Sequence, residues 1–158
     1  MPIKSEHTTE ANIAKPSNAV LVGCKEHTMD EKGRVSLPSS FRKVLQDTVI
    51  LAPGQLRQVL IFTPDEYTSW LDALFAKEGG YDPTNLKHIK RMDYFTSQSE
   101  MVDIDKSGRI KVPDHLREIA DLGKEVIIFG SVSNASIWNK DKWNEYMNYD
   151  PAEDFFQN

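Results

Sequence analysis

DEKGRVSLPSSFR, residues 30–42, and DKSGRIKVPDHLR, residues 105–117, decide the fold of this chain. Superposed at a shift of 75 positions, they share Asp, Gly, Arg, Pro and Arg, five matches in thirteen where chance gives roughly one. The apolar positions follow: Val35 lies on Ile110, Leu37 on Val112, Phe41 on Leu116 and Val44 on Ile119. Further on, with one residue inserted, VLIFTPDEYTSW (residues 59–70) lies on ASIWNKDKWNEY (residues 135–146). The chain is a tandem repeat, and each copy must be read as one structural unit.

Each unit reads the same way. A strand (residues 20–27; 101–104) runs into a turn at Asp-x-x-Gly, where Gly33 or Gly108 supplies the positive φ that other residues resist. A short strand follows (residues 34–37; 109–112), and Pro38 or Pro113 then suits the first position of a short helix. That helix buries Phe41, Val44 and Leu45, or Leu116, Ile119 and Ala120, which turns Arg42 and Lys43, or Arg117 and Glu118, elsewhere. Two more strands (residues 49–52 and 58–62; 125–130 and 135–138) lead to an amphipathic helix. The first such helix opens on Thr63-Pro64-Asp65-Glu66, a capping box with Pro just inside, and presents Tyr67, Trp70, Leu71, Leu74 and Phe75. The second starts after Asn139 and presents Trp143, Tyr146 and Met147. Gly79-Gly80 breaks the first helix, and Asp82-Pro83 opens a linker helix over residues 83–95.

These signals divide the chain into a disordered leader (1–18), a first repeat (19–78), a linker helix (79–99), a second repeat (100–148) and a flexible tail (149–158). Units of about 50 residues with strands this short cannot bury a core alone, so the two copies should pair into one pseudo-symmetric β-barrel with additional helices. The fold class is mixed α/β and mainly β.

Composition narrows the function. With 158 residues, 39% hydrophobic and 27% charged, the chain has room for one core, and no apolar run approaches the roughly 20 residues of a membrane helix. A lone Cys24 excludes an internal disulfide and any Cys-x-x-Cys site, fits a reducing cytoplasm, and is expected as a small buried strand residue. His7, His27, His88 and His115 have no helical mates, so no metal site is expected. No nucleophile elbow, phosphate loop or dinucleotide fingerprint occurs, so neither a cofactor nor a small-molecule substrate is expected. The net charge of −5 argues against a nucleic-acid partner, but its distribution does not. Lys25, Lys32, Arg34, Arg42 and Lys43 outnumber the acids around them, whereas Glu145, Asp150, Glu153 and Asp154 gather at the end.

The repeated motif carries the candidate chemistry. Asp30 and Asp105 should accept backbone N–H groups in their turns, since paired catalytic acids would need a cleft the sequence does not reveal. Arg34 and Arg109 directly follow the glycines, where each can bond back to its turn aspartate or reach outward. Lys32, Arg42 and Lys43 beside the first, and Lys106, Lys111 and Arg117 beside the second, favour outward contacts to phosphates or guanine edges. Aromatics on the long helices read as core, some of them as an oligomer contact, and Lys87, Lys90 and Arg91 as a solvated face of the linker helix.

The pattern D-x-K-G-R-x-x-L-P-x-x-F-R, repeated as D-x-x-G-R-I-x-V-P-x-x-L-R and closing on IWNKDKW, resembles the MraZ family of bacterial transcriptional regulators over residues 20–147. Each half is similar to the DNA-binding module of AbrB and SpoVT type proteins. The resemblance implies a barrel of swapped hairpins, a ring homo-oligomer on the nucleoid, and repression through direct repeats of double-stranded DNA upstream of the division and cell-wall gene cluster. It implies a non-enzyme. It places DNA contacts on Arg34, Arg42 and Lys43 and on Arg109 and Arg117; Lys32 joins these DNA-binding candidates as a basic neighbour in sequence, and Asp30, Gly33, Asp105 and Gly108 shape the turns. The chain departs from the family pattern at Glu118, which replaces a basic residue and should weaken the second half. It departs again at Leu21-Val22-Gly23, preceded by the leader, and at the upstream position held by His27 and Val102. An antitoxin with one AbrB-like repeat and a long toxin-binding tail is the other reading, disfavoured by two repeats and a short tail.

Overall fold

The computed structural model describes residues 20–156. The leader expected over residues 1–18 lies outside them. The first repeat comprises β1 (Leu21–Thr28), β2 (Arg34–Ser36), α1 (Ser39–Leu45), β3 (Thr48–Pro53), β4 (Val59–Phe62) and α2 (Pro64–Ala73). A 3₁₀ turn (Ala76–Glu78) and α3 (Leu86–Gln98) lead to the second repeat. That repeat comprises β5 (Glu100–Asp103), β6 (Arg109–Lys111), α4 (Asp114–Ile119), β7 (Glu125–Val132), β8 (Ala135–Asn139) and α5 (Lys140–Tyr146). One further helical turn, α6 (Pro151–Asp154), is capped by Asp150 within the stretch expected as a tail.

The fold is mixed α/β and mainly sheet. Six strands form one antiparallel sheet in the order β1, β7, β8, β4, β3, β5, and β2 pairs antiparallel with β6 in a two-stranded ribbon. Replacing each strand by its counterpart in the other repeat returns the same order reversed. The symmetry has a physical cause: the first strand of each repeat pairs with the third strand of the other, β1 on β7 and β5 on β3. Neither repeat can complete its sheet alone.

One face of the large sheet and the inner face of the ribbon enclose the core. Val49, Leu51, Val59, Ile61, Val126, Ile128 and Ile137 from the sheet meet Val35 and Ile110 from the ribbon, Phe41, Leu45 and Leu116 from α1 and α4, and Ala120 at the C-cap of α4. Burial of each large apolar side chain contributes about 1.5–3 kcal/mol, and together these contacts outweigh the weak propensity of strands only three residues long. On the opposite face, α2 lays Tyr67 and Trp70 on Ala52, Leu60 and Phe62. There α5 sets Trp143 against Phe129, ring centroids 4.5 Å apart, and Tyr146 on Trp138 at 4.7 Å.

Several local expectations shift. Pro38 and Pro113 stand one place earlier, at the cap, with extended ψ of 142° and 151°; their carbonyls accept the first helical N–H groups, from Phe41 and Arg42 and from Leu116 and Arg117. The linker helix begins at Leu86 because Asp82 spends its carboxylate on Thr84, while the Asn85 side chain accepts from the N–H groups of Lys87 and His88. Helix α2 ends before Gly79 and Gly80, which close the 3₁₀ turn instead.

Cys24 is exposed, not buried. It lies on β1, an edge strand, where Val22, Cys24 and Glu26 alternate onto an uncovered face. Arg91 is not part of a solvated face: it donates to the Leu74 carbonyl (2.9 Å) and to Glu78 (2.6 Å) and lies 5.0 Å over the Phe75 ring. Beside it, His88 is 2% exposed, its Nδ1 accepting from the Asp82 N–H at 3.0 Å and its Nε2 3.3 Å from Glu78 Oε1. These bonds pin α3 to the end of α2.

Candidate nucleic-acid interface

The two Asp-x-x-Gly-Arg turns are built alike. Asp30 Oδ1 accepts the backbone N–H groups of Lys32 (3.0 Å) and Arg34 (2.8 Å), and Oδ2 accepts Arg34 Nε at 2.8 Å. Asp105 does the same with Ser107 (2.9 Å), Arg109 (2.9 Å) and Arg109 Nε (3.2 Å). The backbone N–H of Arg34 aimed at Asp30, and of Arg109 at Asp105, holds each carboxyl below the usual carboxylate range, with each arginine side chain helping. Gly33 and Gly108 adopt φ of 83° and 80°. Both arginines therefore bond back to their turn aspartates, but only through Nε. Among the described residues no hydrogen bond ties the Nη ends of Arg34 and Arg109, and their side chains are 36% and 37% exposed.

The ribbon brings the turns together. Arg34 lies opposite Lys111, Val35 opposite Ile110 and Ser36 opposite Arg109. Val35 and Ile110, each 1% exposed, point into the core, so Arg34, Ser36, Arg109 and Lys111 share the outward face. Three of these four are cations and none is acidic. Lys111 was visible in sequence only as a neighbour of Arg109; the antiparallel register sets it beside Arg34 instead.

A second cross-connection was invisible in sequence. Leu37 donates its N–H to the Gly108 carbonyl at 2.9 Å, and Val112 to Gly33 at 2.8 Å, so each strand ends on the other repeat's turn. The following helix then carries its arginine over that turn. A β-carbon on Gly33 would lie 2.7 Å from Arg117 Nε, and one on Gly108 2.7 Å from Arg42 Cδ. Both glycines are consequently buried although they sit in surface turns. Arg42 and Arg117 do not simply face away from the core; they are half-buried, and the Nε of each is enclosed without an acceptor among the described residues. Lys43 and Lys32 are exposed. Arg117 also pairs with Asp114, which is 83% exposed.

Each end of the ribbon is thus composite. One end joins Asp30, Lys32, Gly33 and Arg34 of the first repeat to Lys111 and Arg117 of the second; the other joins Asp105, Lys106, Gly108 and Arg109 to Ser36 and Arg42. Among the described residues no group of three metal-ligating side chains occurs, and no helix is long and apolar enough to cross a membrane.

A tandem-repeat α/β module with exchanged first strands and paired Asp-x-x-Gly-Arg turns is the class that this geometry defines. A family model described as "MraZ protein, putative antitoxin-like" matches residues 20–82 and again residues 95–158. The chain belongs to the MraZ family. A protein of Dictyoglomus thermophilum named Transcriptional regulator MraZ is 35% identical over 127 residues, covering 80% of this chain and 84% of the relative. A protein of the same name from Paenarthrobacter aurescens is 33% identical over 129 residues, covering 82% and 87%. Another, from Mycoplasma mycoides subsp. mycoides SC, is 31% identical over 129 residues, covering 82% and 94%.

Proposed function

We propose that this protein is a sequence-specific DNA-binding transcriptional regulator, not an enzyme, acting on double-stranded DNA in the cytoplasm at the nucleoid. The observation that carries the reading is the ribbon's outward face, where Arg34 and Arg109 flank a pseudo-twofold axis with their Nη ends presented. Back-bonding of Nε to an ionised aspartate fixes each guanidinium plane before any ligand arrives, leaving the outer fork for a phosphate or a guanine edge. Lys32, Lys43, Arg42 and Arg117 supply charge around them. The name carried by the relatives supports regulation of transcription.

In this reading the two sheets wrap as a swapped-hairpin barrel and subunits assemble into a ring. Strands β1 and β5 lie at the sheet edges with Val22 63% and Met101 62% exposed, surfaces suited to a second copy. Several patches along direct repeats then give avidity that one small patch lacks, and repression of the division and cell-wall genes follows from occupying their upstream DNA. The acidic surplus stays on the distal helices and tail. The test is a binding titration of the full chain against DNA upstream of its own gene at two salt concentrations. Tight binding with a steep salt slope is expected; the absence of binding at low salt overturns the reading, and a protein partner co-purifying in stoichiometric amount points to an antitoxin role instead.

A further inference from the structure

We infer that the two ends of the ribbon are unequal anion-binding sites, and that the stronger is the one at Gly108 and Arg109, completed by Arg42 and Lys43 of the first repeat. This rests on the DNA-binding reading above and deepens it. Read along the sequence, the second repeat looks weaker, because Glu118 stands where the first has Lys43. The fold reverses the assignment, because each helix serves the opposite turn.

The geometry is specific. Arg42 lies across Gly108, and Arg117 lies across Gly33. Whatever accompanies Arg42 on α1 therefore acts at the second turn, and whatever accompanies Arg117 on α4 acts at the first. On α1 the companions are Ser39 and the exposed Lys43; on α4 the residues at the same places are Asp114 and the exposed Glu118. Asp114 forms an ion pair with Arg117 and sets a negative charge beside that guanidinium. No ion pair of Arg42 is found among the described residues. Adjacent α-carbons stand about 3.8 Å apart, well inside the ~8 Å screening length at physiological salt, so Lys43 and Glu118 act on the same field as their neighbours.

The turns add to the difference. Glu31 follows Asp30 at the first turn, whereas Lys106 follows Asp105 at the second, and all four are exposed. Lys111, set opposite Arg34 by the ribbon register, partly offsets the acids at the first end. The second end therefore gathers Arg42, Lys43, Lys106 and Arg109 against Asp105 alone. The first end sets Lys32, Arg34, Lys111 and Arg117 against Asp30, Glu31, Asp114 and Glu118. A DNA backbone laid along the ribbon meets a strong contact at one end and a weak one at the other, so the protein carries a built-in direction along its site.

The experiment is an anisotropy titration of the full chain with a duplex carrying the DNA upstream of its own gene, with subunit mass measured for each variant. R109A is expected to weaken binding on the order of tenfold or more, and R34A about threefold or less. Because loss of Arg109 could disturb its turn, the charge-exchanged K43E/E118K protein is the second arm. It alters only exposed helix positions. In that background the order is expected to reverse, with R34A the more damaging. E118K alone should tighten binding by a few-fold and steepen the salt slope. Equal losses for R34A and R109A, or an order that K43E/E118K leaves unchanged, overturn the inference while wild-type binding keeps the DNA-binding reading intact. A wild-type protein that does not bind the duplex overturns both.

Discussion

Arg42 of the first repeat lies across Gly108 of the second, its Cδ 2.7 Å from where a β-carbon on that glycine would stand. The contact makes Gly108 do two things at once: adopt φ of 80° and leave room for a side chain from the other half. Gly79 has φ of 86° with nothing within 4 Å of such a carbon, and so isolates the first requirement from the second. G79A should cost about 1 kcal/mol for left-handed backbone in an L-residue, and G108A about 2 kcal/mol or more, since Arg42 must also be displaced. Equilibrium urea unfolding of the two variants measures the difference, and equal costs show that Arg42 yields freely.

The turn aspartates set the response to acid. Asp30 and Asp105 have folded-state pKa values held down, first by the backbone N–H groups of Arg34 and Arg109. Their contribution to stability is complete above the unfolded value of about 3.9 and is lost as pH falls through the lower folded value. Unfolding followed between neutral pH and pH 2 should show stability declining below about pH 4. The D30N/D105N variant should be less stable at neutral pH and show a shallower decline. An unchanged profile in that variant removes the turn carboxylates as the cause.

His88 should matter for stability and not for DNA. H88A leaves the Asp82 N–H without its acceptor and opens a gap between Phe75 and Tyr81, whose ring centroids lie 5.0 and 6.3 Å from the imidazole. The expected loss is about 2 kcal/mol or more in a denaturant melt. DNA affinity per folded molecule should remain that of the wild type, and a parallel loss of affinity would mean that α3 helps to position the interface.

R34A/R109A should abolish binding to the upstream duplex while leaving fold and subunit mass unchanged. Each side chain is more than a third exposed and each turn keeps its backbone bonds to aspartate, so little stability resides in the guanidinium ends. Circular dichroism and light scattering check the fold and assembly. Unchanged affinity with an unchanged salt slope removes the ribbon as the DNA-binding surface.

The readable part of the site was local. Asp30, Gly33 and Arg34 interact within five consecutive residues, so a turn glycine preceded by an aspartate and followed by an arginine announces its own hydrogen bonds, and the second copy repeats them. The caps at Thr63 and Asn139 were legible for the same reason. Arg91 was not, because its partners, the Leu74 carbonyl and Glu78, lie across a chain reversal that helical periodicity does not describe. Cys24 was misplaced because an alternating pattern says which side chains share a face, not whether anything covers it.

From the chain alone came the repeat, its turns, its helix starts and the surface chemistry that two arginines after two glycines imply, since each depends on residues close in sequence. Which helix serves which turn was decided only by the tertiary structure. Strand exchange is a choice between chemically similar partners in two similar repeats: both first strands hydrogen-bond to the other repeat's third strand, and β2 pairs with β6 so that each ends on the other repeat's turn, which sends Arg42 to Gly108 and Arg117 to Gly33. That exchange turns two unequal repeats into two composite ends, and moves the effect of Glu118 to the turn it does not follow in sequence.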